Sequence, residues 1–279
     1  MKFTIRFFLF SLVIFLPLSF QSTAFAQEGK VRLALVNVPD EILKPLLPEF
    51  EKQTGLKPEI VYTGNDPFSI GLEGKADLII SHYGHEGVEE FITEGFGLWP
   101  KQVFANQMAL LGPPEDPAHV KGLDDAAEAF RRIAASKSTF LVNNSGSARY
   151  LEDILWESAG VHKMGDWRLD LQSRGRKAAQ DAANKGAYVL FGLPPFFRMN
   201  RAEKLNLVPL VYGDPIFQRV MVSIIVNPKK VSGVNIKGAR AFQEFLLDPI
   251  TQARIRAFRY PDFDHQVWWP SGRNNNAEE

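Results

Sequence analysis

Short apolar segments alternate with longer amphipathic segments along most of the chain. The apolar segments have the length and composition of buried strands, and they predict strands at residues 31–37, 59–63, 76–81, 139–142 and 187–191. The segments between them predict helices at residues 45–53, 122–136, 147–160, 175–185, 237–247 and 249–258. Alternation of this kind is typical of parallel sheets covered by helices, so the predicted fold class is α/β.

Two longer apolar stretches interrupt this alternation. One covers residues 103–111, and the other joins residues 207–212 to residues 220–226. A proline-containing turn follows each, as expected of strands that cross between two lobes. The sequence therefore predicts a discontinuous first lobe, residues 27–111 plus 211–279, and an inserted second lobe, residues 112–210. Because ligands of open parallel sheets bind beyond the carboxyl ends of the strands, the expected site is the cleft between the lobes.

The first 26 residues have the pattern of a removable export signal. Lys2 and Arg6 precede an apolar run at residues 7–20, and Ala24-Phe25-Ala26 supplies a cleavage pattern. A membrane anchor is the alternative, but the run is shorter than the roughly 20 residues that span a bilayer. We therefore predict a signal peptide at residues 1–26 and a periplasmic mature protein.

Charge and cysteine content exclude several kinds of partner and site. Loss of residues 1–26 leaves 30 basic against 32 acidic side chains, so neither nucleic acid nor an anionic membrane is an expected partner. The chain has no cysteine, which excludes disulfides, thiol nucleophiles and thiolate metal sites. We expect a monomer without a cofactor.

Several segments together carry a family resemblance. They are Leu46-Leu47-Pro48-Glu49-Phe50 through Thr54-Gly55, Ala76-Asp77-Leu78-Ile79-Ile80-Ser81-His82, residues 90–97, Lys185-Gly186-Ala187-Tyr188, Gly213-Asp214-Pro215, Asn227-Pro228 and residues 238–252. In order and spacing they resemble the periplasmic tungstate-binding proteins of ABC importers. The resemblance implies a type II solute-binding fold, in which two crossover strands join lobes that each hold a mostly parallel sheet flanked by helices. It also implies a hinge that closes over an oxyanion and delivery to an inner-membrane permease with a cytoplasmic ATPase.

The binding segments of that family are altered here. The family has a Thr/Ser-rich loop after the first strand, where this chain reads Val36-Asn37-Val38-Pro39-Asp40. The arginine of its Arg-Gly-Asp-Asp-Ser-Gly-Thr loop corresponds to Val142, and its Asp-Arg-Gly-Thr segment corresponds to residues 192–195. The predicted ligand is therefore a small anion, tungstate or molybdate by resemblance, with carboxylates, phosphonates and other oxyanions as alternatives.

The turn at residues 143–147 is the first candidate for binding this anion. It consists of Asn143, Asn144, Ser145, Gly146 and Ser147, follows a predicted strand and opens a predicted helix that contains Arg149. Backbone N–H groups at such a position bind anions. The alternative interpretation is an ordinary helix cap by a serine hydroxyl.

The basic segment at residues 173–177 is the second candidate. Arg174, Arg176 and Lys177 lie at the start of a predicted helix, where positive charge opposes the helix dipole unless an anion compensates. We predict that Arg174 and Arg176 replace the family arginine lost at Val142. The alternative is a solvated basic loop.

Strand ends in the first lobe supply the remaining candidates. Asn37 follows the first strand, and Thr63, Gly64 and Asn65 end the second. We predict that all four line the cleft, although a plain turn would also explain Thr63-Gly64-Asn65. The segment at residues 193–197 is predicted to be a packed loop, with aromatic walls for an organic ligand as the alternative.

Enzyme signatures such as Gly-x-Ser-x-Gly or His-Glu-x-x-His do not occur in this sequence, so we expect a binding protein with no catalytic residues. Two alternatives remain. One is a dehydratase on the same fold, with Asp40, Glu73 or His82 as acid or base. The other is a sensor that hands its closed form to a membrane signalling partner. His82 and His85 are too weak a pattern to predict a metal site.

Overall fold

The computed structural model describes residues 29–36 and 40–271 of the 279-residue chain. The predicted signal peptide and Asn37 lie outside these residues, and the side chain of Asp40 is not described. The strands are β1 (Lys30–Val36), β2 (Lys57–Gly64), β3 (Leu78–His82), β4 (Lys101–Gly112), β5 (Phe140–Leu141), β6 (Arg168–Leu169), β7 (Val189–Gly192), β8 (Val208–Val211), β9 (Gln218–Ile225) and β10 (Trp269–Pro270). The helices are α1 (Asp40–Leu43), α2 (Leu47–Thr54), α3 (Pro67–Leu72), α4 (Val88–Thr93), α5 (Ala126–Ser136), α6 (Gly146–Ser158), α7 (Arg176–Lys185), α8 (Leu193–Glu203), α9 (Ile236–Leu247) and α10 (Pro249–Ala257), with a 3-10 turn at Pro215–Phe217.

Strand β4 belongs to both halves of the molecule. Its first part pairs with β9 in a sheet of order β10-β4-β9-β3-β1-β2, in which β1 is parallel to β2 and β3. Its last part, from Met108 to Gly112, pairs with β7 and β8 instead. The two-lobed α/β architecture with long crossing strands is therefore confirmed.

Separate apolar cores stabilise the two halves. In the second lobe, Phe130 of α5 packs against Phe140 and Trp156, and its ring centroid lies 5.3 and 4.4 Å from theirs. In the first lobe, Ala34, Ile79 and Val222 pack beneath α3 and α4. A third cluster contains residues from both lobes, including Phe104 and Phe191, and follows β4 through the crossing.

The segment Ala76 to His82, which carries part of the resemblance, is a scaffold element. Asp77 is fully buried and accepts hydrogen bonds from the Arg32 backbone N–H and guanidinium at 2.6–3.1 Å. The backbone N–H of Asn235 donates to the same carboxylate at 2.8 Å. This network fixes β1 and β3 to the start of α9, which explains why an acid occurs at position 77 beside an otherwise apolar strand.

The prediction of a loop at residues 193–197 is wrong. These residues form the first turns of α8, with proline in the first turn and with Phe196 and Phe197 buried. Proline is tolerated there because the first helical N–H groups have no intrahelical acceptor. Helix α5 also begins four residues later than predicted, because the Asp125 side chain caps it by accepting from the Glu128 N–H at 3.0 Å.

Candidate functional site

Asn143 organises two neighbouring turns of the second lobe. It is 2% exposed, and its Nδ2 donates to the Leu190 carbonyl at 3.0 Å. Its Oδ1 accepts from the N–H of Gly175 at 2.9 Å and from the hydroxyl of Ser145 at 2.7 Å. A single buried amide thus joins β7 to the N-termini of α6 and α7, and brings together the two turns that the sequence nominated separately.

The N-terminus of α6 is accessible to solvent. Ser145 precedes the helix with extended dihedrals, but its hydroxyl donates to Asn143 and does not cap the helix. Gly146 is exposed, Ser147 is half-buried, and the Ser147 hydroxyl has no partner among the residues described. The capping alternative for Ser145 is therefore not supported, and the first N–H groups of α6 stay available for an acceptor.

The three cations of the basic segment differ in their partners. Arg176 pairs with Glu203 of α8, and Lys177 pairs with Asp181 one turn further along α7. Arg174 donates from Nε to the Asn144 carbonyl at 2.9 Å, and its terminal nitrogens contact no acceptor in the described part of the chain. Arg174 is therefore an oriented cation with unused donors, whereas an acid already partly neutralises Arg176.

A glycine is required between these arginines. Gly175 has φ 51° and ψ −124°, a conformation that residues with a β-carbon rarely adopt. This conformation directs the Gly175 N–H to Asn143 while Arg174 turns towards Asn144.

Arg149 and Asn144 are engaged by acids. Asn144 donates to Asp170 at 2.8 Å, and Arg149 approaches Asp153 at 3.4 Å and Asp170 at 4.0 Å. Hydrogen bonds from the Gln172 N–H and from Asn144 lower the pKa of Asp170, so this carboxylate stays charged. Binding of an anion by Arg149 would compete with these acids.

The first-lobe candidates lie at the end of the edge strand β2. Thr63 and Asn65 are exposed, and Gly64 pairs with Val36 at the end of β1. Asn65 lines a groove of about 410 Å³ between α3 and α4, together with Asp66, Glu86 and Glu90. The acids make this groove unsuitable for an anion, and the cleft role of Thr63, Gly64 and Asn65 stays a prediction.

Three polar residues meet at the crossing point, and the sequence nominated only His82 among them, as an acid or base. Arg219 of β9 is opposite Asn106 of β4, immediately before β4 changes from the first-lobe sheet to the second. His82, the last residue of β3, is opposite Met221 and so lies on the same face of the sheet as Arg219. We call His82, Asn106 and Arg219 the crossover cluster; its one sequence signal is a charged residue between Phe217 and Val220.

Several hydrogen-bonding groups of the crossover cluster have no partner among the described residues. Among the described residues nothing accepts a hydrogen bond from the Arg219 guanidinium or from the Asn106 amide, which is 5% exposed. His82 Nδ1 is buried without a hydrogen-bond partner. Burial lowers the pKa of Arg219 to about 10, and burial, then Arg219 and His85, lowers the pKa of His82 well below its usual range. At neutral pH the cluster therefore holds one cation and one neutral imidazole.

Comparison with known proteins identifies the family of this chain. Residues 26–249 match the model of the PBP superfamily domain. The chain belongs to the PBP superfamily. The tungstate-binding protein TupA of Peptoclostridium acidaminophilum is 27% identical over 250 residues, which cover 88% of this chain and 86% of that protein.

Solved structures agree with this assignment. The tungstate-binding protein TupA of Desulfovibrio alaskensis superposes with a TM-score of 0.72 at 25% identity, over 88% of this chain and 99% of that one. A tungstate ABC transporter protein of Geobacter sulfurreducens gives a TM-score of 0.67 at 26% identity, over 83% and 99%. The resemblance to tungstate-binding proteins and the two-lobed type II fold are confirmed.

Residues 29–36 and 40–271 contain no group of histidines and acids arranged to hold a metal ion. Within the same ranges, no helix combines the length and apolar character that crossing a membrane requires.

Proposed function

We propose that this protein is the extracytoplasmic solute-binding component of an ABC importer and binds a small oxyanion in the cleft between its lobes. The observation that carries the proposal is the convergence, through Asn143, of an uncapped helix N-terminus with Arg174, whose guanidinium is oriented by Asn144 and has no acid partner among the described residues. Helix N-terminal N–H groups and arginine are the donors that bind oxyanions in proteins. The similar proteins that carry tungstate in their names support the same ligand class.

The proposed mechanism is a population shift between an open and a closed form. An anion that contacts donors from both lobes favours the closed form, because only that form offers both sets of donors. β4 and the segment joining β8 to β9 would serve as the hinge, because they connect the lobes. The closed form would then be recognised by a permease in the inner membrane, whose ATPase drives import.

Export is part of this proposal. The sequence at residues 1–26 predicts a cleaved signal, and a receptor that collects solute for an importer must reach the periplasm. Binding by such a receptor needs no catalytic group, and none is assigned.

The proposal is tested by thermal unfolding and titration calorimetry of residues 27–279 with tungstate, molybdate, sulfate, phosphate and small carboxylates. An anion at 100 times its dissociation constant should stabilise the protein by about 2.7 kcal/mol, which raises the unfolding midpoint by several degrees. Absence of any shift or heat across this panel would contradict the proposed function.

Variants test whether the anion binds at the second-lobe turn. Arg174→Ala should weaken the anion about tenfold, because it removes one charge-assisted hydrogen bond at an exposed position. Arg176→Ala should have a smaller effect, since Glu203 already pairs with that arginine. Arg131→Ala is the matched control, an exposed arginine of α5 that pairs with Glu128. Equal effects of Arg174→Ala and Arg131→Ala would remove Arg174 from the site.

A further inference from the structure

Arg219 occupies the point where the two lobes join. In β9 it is two residues from Met221, which pairs with His82 at the carboxyl end of β3. In the β4–β9 pair it is opposite Asn106. Asn106 lies two residues before Met108, where β4 begins to pair with β7 of the second lobe. Arg219 therefore lies near the carboxyl end of β3, the end of a parallel strand beyond which ligands of such sheets bind.

The face of β4 that carries Asn106 continues into the second lobe. Met108 and Leu110 follow Asn106 at intervals of two residues and so share its face of the strand. Both belong to the apolar cluster that includes Ala148 and Leu151 of α6. The face of β4 that carries Asn106 opposite Arg219 therefore continues into an apolar cluster to which α6 contributes.

An arginine in this position needs a partner. Guanidinium stays protonated at neutral pH, even with the pKa of Arg219 lowered to about 10. Arg219 is half-buried, and removing an unpaired charge even partly from water is unfavourable, so charges in such positions are normally paired or bound to an ion. Arg32 with Asp77 and Arg168 with Glu152 follow this rule in the same molecule, at 2.6 Å in both pairs. Arg219 has no such acid among the residues described.

The neighbours of Arg219 suit an anion with several oxygen atoms. The Asn106 amide can donate to a second oxygen, and the His82 imidazole, neutral at neutral pH, has an unused Nδ1. The planar guanidinium donates two parallel hydrogen bonds to two oxygens of a carboxylate or tetrahedral oxyanion, which a halide cannot accept in the same way.

The second lobe lacks an equivalent charge at the position where the resembling family has one. Val142 follows β5, is fully buried, and donates its N–H to the Leu169 carbonyl. A side chain at this position contributes to the core and supplies no cation. The positive charge for a ligand must come from elsewhere in the cleft.

We infer that Arg219 is the main anion-binding arginine of this protein, and that Asn106 and His82 complete a polyoxygen-anion subsite at the lobe crossing. The inference rests on the proposed function, because it assigns the charge that holds the proposed oxyanion. The main binding arginine would then lie on β9, where the lobes join, and not at the second-lobe position of the family arginine, which is Val142 here. The ligand would contact the hinge itself.

The test compares Arg219→Met and Arg219→Lys with the control Arg131→Met, using whichever anion of the panel binds the unaltered protein. Arg219→Met should weaken that anion at least about 30-fold, and Arg219→Lys about tenfold, because lysine keeps the charge but loses the paired donors. Without ligand, Arg219→Met should unfold at the same or a higher temperature, since an unpaired charge has been removed.

The outcomes separate this inference from the proposed function. If the unaltered protein binds an anion and Arg219→Met binds it equally well, Arg219 is not the binding arginine and the proposed function stands. If Arg219→Met and Arg219→Lys both lower the unfolding temperature of the ligand-free protein, Arg219 has a structural role and the inference fails. If no anion binds the unaltered protein, the proposed function fails and this inference with it.

Discussion

Replacing Asn143 by alanine should destabilise the protein and disorder both second-lobe turns. The substitution removes the donor to the Leu190 carbonyl and the acceptor for Gly175 and Ser145. Each hydrogen bond contributes about 1 kcal/mol net, and a buried group left without a partner costs about 1–3 kcal/mol. Ser145 is half-buried and regains water, so we expect a loss of about 3 kcal/mol in the free energy of unfolding.

Thermal and urea unfolding of residues 27–279 measure this loss. For a chain of this size, 3 kcal/mol corresponds to a fall of about 6–12 °C in the unfolding midpoint. Asn144→Ala is the matched control, because the Asn144 amide is half-buried and its one acceptor among the described residues is Asp170, so it should cost less than about 1 kcal/mol. Equal destabilisation by the two variants would refute the organising role of Asn143.

Other predictions concern the scaffold and the crossover cluster. Asp77→Ala should lower the free energy of unfolding by about 3–5 kcal/mol in urea unfolding, because it leaves the Arg32 guanidinium without its acid; a loss below about 1 kcal/mol would contradict this. The lowered pKa of His82 predicts acid sensitivity: below about pH 6.5 the unfolded chain protonates first, so stability falls by up to about 1.4 kcal/mol per pH unit. His82→Gln should flatten the dependence of unfolding free energy on pH between about pH 7 and 5, and parallel curves would disprove it.

Most elements of the fold could be predicted from the sequence, because apolar periodicity reflects burial directly. β1, β2 and β4 and helices α6, α7 and α9 lie where the pattern placed them, within a few residues. Helix α8 was missed because Pro194 and Pro195 discourage a helical prediction, although proline fits the first turn.

The site was less predictable because its contacts are distant in sequence. The turn at residues 143–147 and Arg174 were nominated, but a sequence does not show that Asn143 joins them or that Glu203 pairs with Arg176. Arg219 was missed because its role depends on strand register, which places it opposite Asn106 at the crossing. Register and ion pairing are properties of the folded chain, and no local pattern encodes them.

The most direct test of the central claim is a crystal structure of residues 27–279 grown with tungstate, whose metal is located by anomalous scattering. The proposal predicts one anomalous peak in the cleft, with oxygen atoms within hydrogen-bonding distance of the Arg219 guanidinium and near the Asn143 to Ser147 turn. A saturating tungstate concentration that gives no peak in the cleft, or a peak only on the outer surface, would contradict it.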